Sequence, residues 1–480
     1  MGWKKQSDLK ILHLTTSSFK NSYMANSALK YQEFGYAFSQ EDGIEYLHHR
    51  DGGKWRVARN LKDLTPGVKA FYAKRCTNEV LEDVCKATGL VKLVIADHKE
   101  SSLPDEIGNL TNLKDLDLCR CDHLTTLSAG IGNLTNLEVL SLNGGGSLTT
   151  LPAEIGNLTN LTTFKLRWCD QLTVLPPEIG NLANLTKLSF YRCDKLATLP
   201  AEIGSLDNAT ALHLINCKNL VHRVGHLTNL KELHIEDLVS LPAGIDNLTN
   251  LTTLSLNGGC GLFDLPAEIG HLINLKHLNI DGYVSLPAEI GNLTNLEDLN
   301  LYKCHQLTTL PAEIGNLTNL TQLNIVWCDH LTTLPAEIGN LTNLTQLNIE
   351  ECHHLTTLPA EIGNLTNLEN LNLYKCYQLT TLPAEIGNLT NLTYLKLERC
   401  DRLTGLPAEI GKLTNLKYLN LRGLSVEIPL EAVPQFMENG VRISVTHAVD
   451  ILNLKAIRWI EPEFEQIMIW FSYYERRPIA

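Results

Sequence analysis

The sequence lacks the features that would place a chain in a membrane or on nucleic acid. No apolar stretch reaches the roughly 18 residues of a membrane-spanning helix, and the apolar residues 11–14 are too few for a signal peptide. The 480 residues carry a net charge of -13 and contain no run of Lys and Arg that could neutralise a track of phosphates. We therefore expect no membrane insertion, no nucleic acid partner and a cytoplasmic location.

Motifs of catalysis and cofactor binding are also missing. The sequence contains no H-E-x-x-H, no G-x-S-x-G and no G-x-G-x-x-G after a predicted strand. The nearest approach to a phosphate-binding loop, Gly405 to Leu413, has five residues rather than four between its glycines and Leu413 in place of the hydroxyl ligand. We expect a protein that is not an enzyme and binds no cofactor.

One repeated block dominates what the sequence does contain. The block is L-P-A-E-I-G-N-L-T-N-L, and nearly identical copies begin at Leu151, Leu310, Leu334, Leu358 and Leu382, the last four at equal intervals. The interval of about 24 residues and the apolar positions match the leucine-rich-repeat signature L-x-x-L-x-L-x-x-N/C-x-L. One copy of that signature is formed by Leu320, Leu323, Ile325, Cys328 and Leu331.

Each repeat predicts one rung of a solenoid. The L-x-L segment predicts a short strand with its leucines inward and the intervening residues outward. The P-A-E-I-G segment predicts a helical or 3-10 turn with proline at its first position and glycine in a left-handed cap. We therefore expect an α/β solenoid of about 16 rungs, an arc with a parallel concave sheet, short turns on the convex side and small non-repeat flanking regions.

The repeats also resemble those of two protein families. The form L-x-x-L-x-L-x-x-C-x-x-L-x-x-L-P-x-x-I-G, from Leu368 to Gly387, resembles the repeats of plant intracellular disease-resistance receptors. Its L-P-x-x-I-G-x-L-x-x-L core is similar to that of cytosolic Ras-group leucine-rich-repeat scaffolds. The resemblance extends from near Leu81 to Pro429 and implies protein recognition on the concave face, in the cytoplasm. The nucleotide-binding domain of the resistance receptors has no counterpart in the sequence.

The limits of the repeat divide the chain into three regions. Residues 1–78 lack the repeat and could cap the array, and in them residues 46–59 predict a hairpin and residues 66–75 a helix. Residues 79–429 form the predicted solenoid. Residues 430–480 predict a capping region with an amphipathic helix, for which a partner-binding or dimerising role is the alternative. One face of that helix carries Phe464, Ile467, Met468, Phe471 and Tyr474.

Cysteine and asparagine recur at fixed places in the repeat. Nine of the 13 cysteines stand just after the strand, one in each of nine rungs, which indicates reduced thiols in the core rather than disulfides. The asparagine of T-N-L recurs from Asn112 to Asn415. We expect its amide to bond to backbone groups that the bend leaves unpaired.

Information about a partner can lie only where the repeats differ, which is at the outward strand positions. Tyr, Trp and Arg dominate binding hot spots and are frequent there. We predict that three groups of residues bind a protein or peptide, the alternative being ordinary solvated strand positions. The early patch is Lys165, Arg167, Trp168, Lys187, Tyr191 and Arg192; the central patch is Glu232, Glu236, Asp237, Asp281 and Asp298; the late patch is Tyr302, Lys303, Trp327, Glu350, Glu351, Tyr374, Lys375, Tyr394, Lys396, Arg399 and Tyr418.

The segment around the central patch has two further features. His213 and His234 share an outward position on adjacent rungs, about 5 Å apart, and with a neighbouring glutamate they could hold a zinc ion, the alternative being solvated histidines. We count His234 among the partner-binding residues. Three repeat intervals in this segment are shorter than the others by three residues, which are missing between the strand and the outer turn. We predict a local change of curvature over residues 210–290.

Two other functions remain open at this point. Residues 1–78 could be an effector or enzyme module that the repeats direct to a target, with His48, His49, Arg50, Lys54, Trp55 and Arg56 as their concentrated polar side chains. The arc could instead bind carbohydrate, with Trp168 and Trp327 as stacking platforms. A non-enzymatic protein-interaction scaffold, with a role in signalling or in recognition of the innate-immunity kind, is the function that the sequence favours.

Overall fold

The computed structural model describes residues 37–41, 44–48, 54–58, 64, 68–217, 219–220, 224–237, 241–262, 265–283, 285–424 and 426–445. The predicted C-terminal helix lies outside these residues. In the described residues no helix is both long and apolar enough to cross a bilayer.

Strands and two short helices alternate with turns along the chain. The strands are β1 Ala37–Glu41, β2 Ile44–His48, β3 Lys54–Ala58, β4 Ala70–Lys74, β5 Lys92–Ala96, β6 Asp115–Cys119, β7 Val139–Asn143, β8 Thr163–Arg167, β9 Lys187–Tyr191, β10 Ala211–Ile215, β11 Glu232–Glu236, β12 Thr253–Leu262, β13 His277–Tyr283, β14 Asp298–Tyr302, β15 Gln322–Val326, β16 Gln346–Glu350, β17 Asn370–Asn372, β18 Tyr394–Lys396, β19 Tyr418–Asn420 and β20 Arg442–Ser444. The α-helices are α1 Asn78–Cys85 and α2 Val433–Glu438.

The strands build one continuous sheet whose register repeats from rung to rung. Strands β4 to β20 form a ladder of 17 parallel strands, in line with the predicted fold and close to the predicted number of rungs. In β15, Leu323 and Ile325 are fully buried while the alternate residues are partly exposed. Because each strand pairs leucine against leucine, the inward side chains stack into one core along the arc.

Short 3-10 turns occupy the convex side, between the strands. They span Asp105–Asn109, Ala129–Asn133, Ala153–Asn157, Pro177–Asn181, Ala201–Ser205, Val224–His226, Ile245–Asn247, Ala267–His271, Ala288–Asn292, Ala312–Asn316, Ala336–Asn340, Ala360–Asn364, Ala384–Asn388 and Ala408–Lys412. The helices α1 and α2 take the corresponding place at the two ends, where α1 packs beside the first of these turns and α2 beside the last.

The role predicted for the turn glycine is wrong. In the described residues the glycines with positive φ are Gly144, Gly244, Gly282, Gly423 and Gly440, and none of them is the glycine of an I-G pair. The turn glycine serves close packing instead: a Cβ added to Gly339 would lie 2.5 Å from the carbonyl oxygen of Glu361 in the next rung. The proline generally stands one residue earlier than predicted, at the N-cap, as Pro335 does.

The N-terminal predictions had opposite outcomes. The hairpin is confirmed, since β2 and β3 pair antiparallel with Tyr46 opposite Arg56. The helix predicted over residues 66–75 is wrong, because β4 lies there and pairs in parallel with β5. The apolar residues of β4, including Phe71, are buried against the first rung, so pairing with an open sheet edge prevails over local helix propensity.

The fixed cysteines and asparagines join neighbouring rungs. Twelve cysteines, those whose side chains the structure describes, are free and buried. A typical one, Cys352, places its Sγ 3.5 Å from the Ile325 carbonyl oxygen of the previous rung and 3.6 Å from that of Glu350, and burial raises the pKa of the Cys400 thiol to about 12. Asn343 donates from Nδ2 to the Thr318 carbonyl at 2.8 Å. The predicted amide bond to the backbone is therefore present, and it runs between rungs.

The shortened repeats lose their residues at the predicted place. The segment from turn to strand is the same length in a short rung, 288–298, as in a regular one, 312–322, so the missing residues lie between strand and turn. The strands beside them stay in register, apart from a shift between Asn257 and Leu262 where β12 meets β13. The change of curvature over residues 210–290 stays a prediction.

Candidate functional site

The concave face carries two columns of side chains. The first is formed by the last outward residue of each strand, and the second by the left-handed residue of the turn that follows. In ten rungs the residue directly after the strand adopts a left-handed backbone, including Trp168 with φ 54° and Trp327 with φ 57°, and in two more the left-handed residue, Lys375 or Arg399, follows the strand by three positions. For a bulky residue this conformation costs about 1 kcal/mol or more. The sheet hydrogen bonds continue through it, as the Trp327 amide donates to the Glu350 carbonyl at 2.9 Å.

This left-handed column was not predicted from the sequence, although one signal was present. Two rungs have Gly144 and Gly423 at this place, both with positive φ. Glycine recurring in a column of otherwise large residues indicates a backbone position that favours φ above zero. This matters for binding, because the turn places the side chain of the left-handed residue beside that of the last outward residue of the strand.

The early patch gathers cations around a pair of rings. Trp168 and Tyr191 meet edge to face, with ring centroids 5.1 Å apart. Within the described chain, the structure records no ion pair for Arg167, Lys187 or Arg192. The strand register places Arg167 beside Tyr191 on the neighbouring strand.

The carboxylates of the central patch lie in contact with histidines. His213 lies 3.1 Å from Glu232, and His234 lies 3.0 Å from Glu236. His277 lies 2.6 Å from the carboxylate of Asp298. The sequence showed these histidines, but the pairing needed the register of β10, β11, β13 and β14 to become visible.

The two histidines considered as zinc ligands contact different carboxylates, His213 that of Glu232 and His234 that of Glu236. The rings of His213 and His234 are 5.7 Å apart, close to the predicted spacing. No group of three or more His, Cys, Asp or Glu side chains in the described residues is arranged to hold a metal ion. Burial and then the charge of Lys187 lower the pKa of His213, although Glu232 acts to raise it. Burial likewise raises the pKa of Asp281.

The late patch holds its rings in contact with one another and with lysines. Tyr302 and Trp327 pack with centroids 4.8 Å apart, and the Lys303 Nζ lies 4.9 Å from the Tyr302 ring. Tyr374 lies against two lysine ammonium groups, with Lys396 Nζ 4.0 Å from its centroid. Such contacts satisfy part of each lysine's charge.

Other charges of the late patch are paired within it. Lys375 Nζ lies 2.9 Å from Glu351. Burial acts to raise the pKa of Glu351, but hydrogen bonds with Lys375 and Trp327 bring it below its ordinary value. The two remaining tyrosines, Tyr394 and Tyr418, stack on each other with centroids 5.0 Å apart. The positions of the predicted late residues are therefore contiguous, and much of their charge is already compensated.

A column of asparagines lies on the floor of the late patch, and it was not predicted from the sequence. The Asn300 Nδ2 donates to Asn279 Oδ1, and Asn324 Nδ2 donates to Asn300 Oδ1, each at 2.5 Å. The side-chain oxygen of Asn348 is buried without a hydrogen-bond partner among the described residues. One rung further along, Asn372 donates from Nδ2 to the Glu350 carboxylate. The recurring L-N-L or L-N-I of these strands was the available signal.

A histidine and aspartate cluster on the rim was also missed. The Asp329 carboxylate lies between two imidazoles, 3.3 Å from His305 Nδ1 and 2.9 Å from His353 Nδ1. The His353 ring stacks on Tyr377, with centroids 4.9 Å apart. These residues follow the cysteines of adjacent rungs, so their spacing by one full repeat was the signal.

A polar groove of about 640 Å³ lies away from the outward strand positions. Its lining is Lys114, Asn136, Glu138, Asn160, Thr162, Asn184, Thr186 and Asn208. The four asparagines already donate to carbonyls of the preceding rung, for example Asn160 to Thr135 at 2.8 Å. The groove is thus a product of the stacked repeats and offers few free donors.

Family models match most of the repeat array. A model described as a leucine-rich repeat region matches residues 131–238, 236–333, 300–393 and 328–438. A second model, described as R13L1/DRL21 leucine-rich repeats, matches residues 69–145. A search of curated proteins found no match.

Several solved structures share the fold. A leucine-rich-repeat protein of Leptospira interrogans is 32% identical, with a TM-score of 0.56 over 79% of this chain and 90% of that one. The TLR13–ssRNA13 complex is 20% identical, with a TM-score of 0.57 over 80% of this chain and 58% of the other. The Toll–Spatzle complex of Drosophila is 18% identical, with a TM-score of 0.56 over 88% and 61%. At such low identity the last two show the fold alone.

Proposed function

Because this chain belongs to the leucine-rich-repeat family, we propose that it is a non-enzymatic scaffold whose concave face binds a protein or peptide. The fold itself is one that generally serves protein–protein interaction. The contiguous rings of the late patch carry the proposal. The rings are partly exposed, and aromatic side chains grouped on one face are the commonest anchors of protein interfaces.

The chemistry of the late patch favours a polypeptide partner. Its lysines contact rings and carboxylates of the same surface, as Lys375 does with Glu351, so little positive charge is left for phosphates. Among the similar structures, Toll is in complex with Spatzle and TLR13 with ssRNA13. We propose that this chain resembles the former in the kind of partner, with signalling or innate-immunity-like recognition as its setting.

We propose a cytoplasmic location on the basis of the thiols. The described cysteines are free, and one lies in the core of most rungs. Free buried thiols at this density suit a reducing compartment, where disulfides are rare.

Affinity capture with the full chain, followed by mass spectrometry, tests the concave-face proposal. We expect the double variant Trp327→Ala with Tyr374→Ala to lose a set of captured proteins that the wild type retains, with affinities reduced at least about tenfold. Ile273→Ala is the matched control, because Ile273 is an apolar side chain 53% exposed on a loop beside a convex turn. Retention of every captured protein by the double variant would contradict the proposal.

Two additional arms separate the alternatives. Capture that depends on residues 1–58 but not on the rings would favour the N-terminal module; this deletion leaves β4 in place on the edge of the sheet. Loss of capture in the presence of soluble glycans would favour a carbohydrate ligand. Trp168 meets Tyr191 edge to face and Trp327 packs against Tyr302, so part of each tryptophan ring is already covered.

A further inference from the structure

The early patch has positive charge that the surrounding concave face does not neutralise. Arg167 is an outward residue of β8, Lys187 is the first outward residue of β9, and Arg192 follows β9 in the left-handed column. The rim residues Asp170 and Asp194 are the nearest acids along the chain, and neither forms an ion pair with a described residue. The positive potential reaches the next strand, where Lys187 contributes to the lowered pKa of His213.

The strands on either side supply no carboxylate at their outward positions. Those of β7 are Val139, Ser141 and Asn143, and those of β10 are Ala211, His213 and Ile215. The cations of the early patch therefore share two adjacent strands, which lie about 4.8 Å apart. This arrangement attracts anions, and the partly buried setting of Arg167 and Lys187 strengthens the attraction relative to open water.

Acidic residues limit the length of this cationic surface. Two strands before it, β6 carries Asp115 and Asp117, and two strands after it, β11 carries Glu232 and Glu236. The five strand spacings between β6 and β11 amount to roughly 24 Å. A long polyanion lying along the arc would meet the exposed Glu232 at one end and, at the other, Asp115, which is paired with Lys92, so neither end offers a free cation, whereas about seven extended residues of polypeptide fit between them.

The two rings add an apolar contact inside the cationic surface. Trp168 and Tyr191 are both half-buried and meet edge to face at 5.1 Å. Their contact leaves apolar ring surface beside Arg167, and Lys187 lies on the same face, four residues before Tyr191 on β9. A ligand that combines carboxylates with one apolar side chain satisfies both features.

We propose that the early patch is a binding site for a short acidic polypeptide segment containing an aromatic or aliphatic residue. The proposal rests on the proposed function and names the chemistry of the partner at this part of the concave face. Arg167 and Lys187 pair with the carboxylates, and the apolar side chain packs against Trp168 and Tyr191. The segment spans two to four rungs, with its ends directed away from β6 and β11.

Fluorescence anisotropy with labelled peptides and the full chain tests the site. The probes are G-E-E-F-E-E-G and its uncharged counterpart G-Q-Q-F-Q-Q-G. We expect the acidic probe to bind at least about tenfold more tightly than the uncharged one. The variant Arg167→Ala with Lys187→Ala should weaken binding of the acidic probe by about tenfold or more, whereas Lys303→Ala with Lys375→Ala should change it by less than about twofold.

The outcomes that overturn the site are specific. Equal binding of the two probes, or equal losses in the two double variants, would show that the early patch does not select carboxylates. Tighter, patch-dependent binding of a single-stranded RNA or of phosphatidylserine vesicles would overturn the polypeptide assignment in favour of that ligand. Circular dichroism checks that the variants fold, and Lys187→Gln provides a milder substitution if the double variant does not.

The two proposals can fail independently. If the acidic probe does not bind but capture depends on Trp327 and Tyr374, the early-patch site is wrong and the concave-face scaffold stands. If captured proteins depend on no concave residue, the proposed function is wrong whatever the probe does.

Discussion

The early and late patches present similar residue types on the same sheet but differ in whether their cations are paired with neighbouring side chains. In the late patch Lys375 is paired with Glu351, and Lys396 lies over the Tyr374 ring. In the early patch Arg167 and Lys187 have no such partner in the described chain. The difference shows that composition alone does not define a binding surface: the late patch offers rings with their charges already satisfied, and the early patch offers charge.

Salt gives the largest expected separation between the patches. Raising the salt concentration from about 50 to about 300 mM should weaken binding of the acidic probe by about tenfold, because its attraction to Arg167 and Lys187 is screened. Partners that depend on Trp327 and Tyr374 should lose less than about threefold over the same range. Anisotropy titrations at several salt concentrations measure both, and a parallel decline would remove the distinction between the patches.

Removing a lysine should lower the free energy of unfolding in the late patch but not in the early patch. Lys375→Ala breaks the contact with Glu351, which is partly shielded from solvent, and should lower the free energy of unfolding by about 0.5 kcal/mol. Lys187→Ala removes a cation for which the described chain has no ion-pair partner and should leave stability unchanged or slightly raised. Urea unfolding of the two variants compares them directly. A greater loss from Lys187→Ala would mean that the early patch is internally paired after all.

The pH dependence of stability tests whether the positive charge of the early patch extends to His213 on the next strand. The pKa of His213 is lowered in the folded state, mainly by burial and then by Lys187. The unfolded state therefore binds more protons as pH falls below the ordinary value of about 6.5, so stability is lost in that direction. His213→Gln should reduce this loss between about pH 7 and pH 5, as measured by thermal unfolding. An identical pH profile in the variant would contradict the inferred burial and charge effects.

The sequence predicted the scaffold well because one constraint repeats in every rung. The spacing of Leu320, Leu323 and Ile325 dictates an inward face, and its exact recurrence in the following rung dictates that the faces stack. The helix predicted over residues 66–75 was wrong because no repeat is visible there. Local propensity alone does not show that this segment can pair with an open sheet edge.

The face on which the outward residues lie could be predicted from the sequence, but their contacts with one another could not. Outward residues such as Arg167 and Tyr374 could be placed on one face from their period, and the structure places them there. Pairing between rungs, such as His213 with Glu232, depends on side chains that are 19 residues apart and on a shortened interval. The left-handed backbone at Trp327 depends on the turn geometry, which only the rare glycines of that column indicated.

The most direct test of concave-face recognition maps where a captured partner touches the chain. The photo-crosslinking residue benzoylphenylalanine would be placed at Gln322, an outward position of β15, and at Glu337, an exposed position on the convex turn that follows it. We predict crosslinks to the partner from position 322 and none from position 337. Crosslinks from position 337 alone would show that the repeated convex turns, and not the variable concave strands, carry recognition.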